Sequence, residues 1–135
     1  MKKKFDNLIL ITYLLLIIVI VYGGATIGTK YYKEYMNKPG VVIKDGVQIA
    51  TIIVNEIGYE PQSLKLKPNI PTKINFYTDE TATCSRQVTS KQLNFFKTLY
   101  NNESEIIDVG KLEPGTYKYQ CGMGMHTGEL KVITE

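Results

Sequence analysis

The sequence predicts an all-β protein, a two-sheet β-sandwich, preceded by a single N-terminal transmembrane helix. Three observations carry that expectation. An uncharged stretch of 23 residues, 7–29, lies near the N-terminus. Downstream, short segments alternate apolar and polar side chains, and turn-forming clusters separate them at spacings suited to a sandwich. No long helical period competes with the strand pattern.

The anchor is read first. Within the uncharged stretch, 8–28 supply 21 residues, and at about 1.5 Å per residue a helix of that length crosses a hydrocarbon core of about 30 Å. Lys2, Lys3 and Lys4 precede the run, so the positive-inside bias places 1–6 in the cytoplasm as a basic segment and sends the remainder outside. Lys30, Lys33 and Lys38 weaken that contrast without reversing it. A cleaved secretory signal has the same charge order, and Gly23-Gly24-Ala25 offers small residues for cleavage after Ala25. The length of the run favours a retained anchor over 7–29. No Cys follows it closely, which excludes a lipid-modified cysteine.

Residues 30–46 read as a linker. Tyr31, Tyr32 and Tyr35 are expected at headgroup level, and Pro39-Gly40 interrupts the chain beyond them. The domain proper is expected over 47–135, with strands at 47–54, 63–66, 72–77, 105–109, 116–121 and 129–133. Turns fall at Asp45-Gly46, Gly58-Tyr59-Glu60-Pro61, Lys67-Pro68-Asn69, Glu113-Pro114-Gly115 and Thr127-Gly128. Leu64, Leu66, Ile74, Phe76, Tyr117, Tyr119, Leu130 and Val132 alternate with polar neighbours, which gives each strand one core face. The exception is 91–100, where Leu93, Phe96 and Tyr100 are spaced to line one side of a short helix.

Size and charge exclude whole classes of function. Of 135 residues only about 95, 41–135, remain to build a soluble core, too few for a nucleotide-binding α/β enzyme. The net charge of +3 is concentrated in residues 1–40, which hold six Lys against Asp6 and Glu34, whereas 41–135 are close to neutral. A nucleic-acid binder would place its basic residues in the folded part. Here they flank the apolar run, as suits a protein whose lipid contact is the N-terminal helix.

The informative segment is Cys121-Gly122-Met123-Gly124-Met125-His126, which holds a thiol, two thioethers and the only imidazole of the chain. It lies between two expected strands, and Gly122 and Gly124 give the loop dihedrals closed to other residues. A methionine in a small sandwich is more often a core gap-filler. Placed in a glycine-rich loop beside a cysteine, Met123 and Met125 are read instead as metal ligands. Cys84, 37 positions upstream of Cys121, follows the strand ending near Tyr77. Two cysteines outside a cell also suit a disulfide, and a pair close enough to share a metal is close enough to oxidise. Zn(II) sites are usually completed by four Cys or His, more than this chain offers, although Glu129 is near. Thiolates and neutral thioethers suit Cu(I).

The turn Gly58-Tyr59-Glu60-Pro61, the stretch Glu113-Pro114-Gly115-Thr116-Tyr117-Lys118-Tyr119 and the Cys-Gly-Met-Gly-Met loop together resemble the cupredoxin family over 47–135. The resemblance implies a cupredoxin-like Greek-key β-sandwich with one ligand after a middle strand and the others between the last two strands. Blue-copper members need two His, and the dinuclear oxidase site needs two Cys in one loop, neither of which is present. The chain is similar in particular to membrane-anchored cupredoxin copper chaperones of Gram-positive bacteria. That likeness implies two Cu(I) ions, with Cys84 and Cys121 as thiolate ligands and Met123 and Met125 as thioether ligands; His126 is outside the pattern. It also implies a partner, a copper-exporting P-type ATPase, and no catalysis of the protein's own. The other reading is an extracytoplasmic thiol redox or electron-transfer protein using the two cysteines, though no Cys-x-x-Cys motif supports it.

Overall fold

The computed structural model describes residues 2–134, with 2–8 and 32–36 described by backbone alone. The chain divides into a helical unit, residues 1–36, and a β unit, residues 37–135.

Helix α1 spans Lys2–Met36, and its segment Ile9–Tyr31 is long and apolar enough to cross a membrane. None of that segment is buried within the protein, so its apolar side chains have no core of their own. Its threonine hydroxyls are satisfied locally: Thr12 donates to the carbonyl of Ile9 at 2.8 Å, Thr26 to those of Tyr22 and Gly23 at 3.1 and 3.0 Å, and Thr29 to that of Thr26 at 3.0 Å. Tyr31 is exposed, whereas the side chains of Tyr32 and Tyr35 lie outside those described.

Among the described residues the β unit contains ten strands: β1 (Gly40–Lys44), β2 (Val47–Asn55), β3 (Gly58–Glu60), β4 (Ser63–Leu66), β5 (Pro71–Thr78), β6 (Gln87–Ser90), β7 (Phe95–Thr98), β8 (Glu103–Lys111), β9 (Gly115–Cys121) and β10 (Thr127–Val132). One sheet has the order β1-β2-β5-β8, with β3 added to the far end of β2; the other has the order β4-β10-β9-β6-β7. β2 with β5 and β4 with β10 are parallel, because the chain crosses between sheets to reach each partner, and every other pair is antiparallel. This is a Greek-key sandwich.

The strand alternation resolves as expected. Leu64, Leu66, Ile74, Phe76, Tyr119, Leu130 and Val132 are buried in one core, and Tyr117 packs partly against it. Phe76 and Tyr119 meet edge to face across the two sheets at 5.4 Å, and Tyr59 closes on Tyr119 at 5.1 Å. Burying each such side chain contributes about 1.5–3 kcal/mol, with roughly 0.5–1.5 kcal/mol more from each ring pair.

Three expectations are corrected. The segment read as linker through residue 46 contributes β1, which pairs with Val47–Thr51 through a two-residue turn. In that turn Asp45 has φ 51 and Gly46 φ 77, the conformation that suits the twist of a hairpin. Residues 91–100 form no helix. Asn94 takes φ 51, which a helix cannot continue through, and Phe95–Thr98 folds back onto Gln87–Ser90 as β7. Phe96 and Tyr100 are exposed while Leu93 is half-buried, so the three share no buried face. Finally, Gly58–Glu60, read as a turn, is paired with Ile53–Asn55.

Candidate metal centre

The loop between β9 and β10 is only five residues, 122–126, because the two strands pair up to Thr127 opposite Gln120. It closes on itself through backbone bonds: Cys121 N–H donates to the His126 carbonyl at 2.9 Å, and Gly124 N–H to the Cys121 carbonyl at 2.9 Å. Gly124 takes φ 72, which makes that turn accessible. Gly122 serves differently from the expected dihedral freedom. Its φ is not positive, but a Cβ there would lie 2.5 Å from Gln87 Oε1, and its N–H donates to the Gln87 carbonyl at 3.0 Å.

Within this frame the donor atoms are sorted by depth. Cys121 is fully buried, whereas Met123 and Met125 are 73% and 69% exposed. The thiol is subject to opposing influences. Burial raises its pKa, but the backbone N–H groups of His126, Met123, Met125 and Gly124 stabilise the thiolate and together hold it below the usual thiol value. His126 N–H lies 3.3 Å from Sγ. The loop is therefore a small anion cradle with thioethers on its rim.

Cys84 begins a 3-10 turn, Cys84–Arg86, that follows β5 and leads into β6. Val88 lies opposite Cys121 in the β6–β9 ladder, so the turn sits at the same end of the sandwich as the loop and packs against β9. Cys84 is exposed, and both cysteines are free. Ser85 is buried and anchors the turn by donating from Oγ to the Asn55 carbonyl at 2.7 Å.

The loop thus brings Cys121, Met123, Met125 and His126 together, with Cys84 on the adjacent turn. Among the described residues no three His, Cys, Asp or Glu gather as a metal site, at this loop or elsewhere. Glu129 is committed to Lys131 at 2.7 Å, a bond that holds its carboxyl below the usual range. A thiolate-stabilising cradle with neutral thioethers fits a soft metal ion.

Two contacts at this end were not legible in the sequence. The Tyr59 hydroxyl donates to the Ser85 carbonyl at 3.4 Å, and the His126 ring lies against Gly58, where a Cβ would stand 2.8 Å from Nδ1. Both depend on strands far apart in sequence. The motif Gly58-Tyr59-Glu60-Pro61 reads in the sequence as a turn and as part of the family resemblance, not as a support of the loop.

Residues 15–132 match the profile of the cupredoxin-like domain family. Among solved structures, the chain is similar to the metal binding domain of the Streptococcus pneumoniae D39 Cu(I) exporting P-type ATPase CopA. The two are 23% identical with a TM-score of 0.63, over 71% of this chain and 95% of that one. A copper binding protein solved in its apo form also gives 23% identity and a TM-score of 0.63, over 73% and 99%. A chain of a heme-copper terminal oxidase gives 17% identity and 0.55, over 98% and 99%. At these identities the likeness is one of fold. No curated protein matches the chain.

Proposed function

This chain belongs to the family of cupredoxin-like domains, and on that premise we propose that it is a membrane-anchored Cu(I)-binding chaperone of the CupA type, which sequesters copper(I) and passes it to a copper-exporting P-type ATPase in copper resistance. The observation that carries this reading is the division of depth in one short loop. Cys121 is buried where backbone N–H groups favour its thiolate, and Met123 and Met125 stand exposed directly above it in sequence.

In the proposed mechanism Met123 and Met125 meet the ion first. Thioethers stay neutral and need no deprotonation, so they capture and release Cu(I) readily. Cys121 and the exposed Cys84 form the tighter site, because charged thiolates hold Cu(I) more strongly. Two ions per domain, one on each pair, is the stoichiometry that the resemblance to chaperones of this type implies. The absence of a second His removes the ligand set of a blue electron carrier. No catalytic step is assigned.

Helix α1 is proposed to remain as the anchor of a single-pass protein in the cell membrane. Lys2, Lys3 and Lys4 keep its N-terminus cytoplasmic, and the β unit faces outward. Tethering raises the effective concentration of the domain toward another membrane protein, here the exporter. The fold likeness to a CopA metal-binding domain supports that choice of partner.

The competing reading, thiol redox exchange, draws on the free state of both cysteines and the lowered pKa of Cys121. Transfer separates the two. The Cu(I)-loaded full chain in detergent is mixed anaerobically with an apo exporter metal-binding domain, and copper in each is measured after separation. A chaperone equilibrates copper between the two within minutes and leaves its thiols reduced. Retention of all copper, or transfer only with disulfide formation, contradicts the proposal.

A further inference from the structure

We infer that the hairpin joining β2 to β3, residues 55–60, is the brace that sets Cys84 against Cys121, with Gly58 and Tyr59 as its positioning residues. This rests on the Cu(I) reading for its functional meaning, though the contacts stand without it.

The hairpin touches both cysteine-bearing segments and does so through different atoms. Toward the Cys84 turn, the Asn55 carbonyl accepts from Ser85 Oγ at 2.7 Å, and Tyr59 donates to the Ser85 carbonyl at 3.4 Å. Ser85 is therefore held on both its side chain and its backbone, one residue from Cys84. Toward the Cys121 loop, Gly58 lies under the His126 ring, with room for nothing larger than hydrogen: a Cβ would stand 2.8, 3.1 and 3.2 Å from Nδ1, Cγ and Cβ. His126 is in turn the residue whose N–H reaches Cys121 Sγ and whose carbonyl accepts from Cys121 N–H. Seating that ring seats the backbone that holds the sulfur.

The hairpin is itself rigid enough to transmit position. Its tip is closed by Ile57 N–H donating to Asn55 Oδ1 at 3.0 Å, and its second arm is paired as Asn55 to Gly58, Val54 to Tyr59 and Ile53 to Glu60. Tyr59 is buried edge-on against both Phe76 and Tyr119, so its hydroxyl is aimed by core packing. A metal site made from two segments distant in sequence needs such a common reference, since ligand geometry must hold within about 0.5 Å to be effective. Gly58, with φ 121, is the position where no other residue meets both the backbone and the steric demand.

The test uses the full chain in detergent, reduced and anaerobic, with Gly58→Ala, His126→Ala, the double variant and Tyr59→Phe. Cu(I) affinity is read by competition with a chromophoric chelator. Gly58→Ala should weaken the thiolate site roughly tenfold, as loss of outer support does. His126→Ala should cost less, and Gly58→Ala should add a smaller penalty in that background than in the wild type, because the ring atoms nearest the methyl are gone while the His126 Cβ and the strain of alanine at φ 121 remain. A Gly58→Ala penalty that persists undiminished in the His126→Ala background overturns the contact, as does wild-type affinity in Gly58→Ala. Melting temperature is not the readout, since alanine is strained at φ 121 in both backgrounds.

Should Gly58→Ala fail to fold, Tyr59→Phe carries the test through amide chemical shifts of the apo protein. Shifts should move in both 84–86 and 122–126, and a change confined to one segment overturns the brace. That readout needs no metal. Failure of the wild-type chain to bind Cu(I) would therefore strike the functional proposal and leave the brace to be judged on its own.

Discussion

At Cys121, burial and hydrogen bonding act on the same sulfur in opposite directions, and the backbone donors of the loop prevail. The folded thiol then ionises at lower pH than the unfolded one, so between those two values the unfolded chain binds the extra proton. Stability of the reduced apo protein should rise with pH across that window and be lost as pH falls through the folded value. Thermal melts of wild type against Cys121→Ser check this: the wild-type slope should be positive and largely absent in the variant. Met123 and Met125 are exposed, so replacing both with Leu should leave stability within about 0.5 kcal/mol. The same replacement should spare tight Cu(I) binding while reducing stoichiometry or transfer rate. Loss of the tight site in that double variant would contradict the division of roles. The sulfur donors were legible because four unusual side chains fall within six positions. Ser85, Gly58 and Tyr59 were not, because their value lies in contacts that only the folded sandwich creates.

The elements follow the same logic. Strands with one apolar face were readable from alternation, as in Ser63–Leu66 and Thr127–Val132, since a core on one side forces the pattern. Gly40–Lys44 is hard to read as a strand because it follows directly on Pro39-Gly40, although Asp45-Gly46 is a hairpin signal. Residues 91–100 carry helical spacing in Leu93, Phe96 and Tyr100, but Asn94 at positive φ breaks the helix that the spacing predicts. A chain starting at Asn37 should therefore melt as the full β unit does, because its core draws only on residues beyond the helix. Starting at Val47 removes β1 and the packing of Val41 against the core, at a cost on the order of 2 kcal/mol. Equal melting temperatures for the two truncations would show that β1 contributes nothing.

The whole molecule joins an apolar helix to a cupredoxin-like sandwich, and on the proposed function its orientation decides where copper is met. Cys84 is exposed, which makes it a reporter. In intact reduced cells a membrane-impermeant maleimide should label it if the domain lies outside. Labelling only after lysis would place the domain in the cytoplasm and reverse the expected topology. Whether Cys84 and Cys121 together hold Cu(I) is decided by anaerobic titration of the reduced full chain against a Cu(I) chelator, with Cys84→Ser and Cys121→Ser alongside. The wild type should retain at least one tightly bound ion that either serine variant loses; a wild-type chain that leaves all copper with the chelator, or serine variants that bind as tightly, would show that the two cysteines do not form the site.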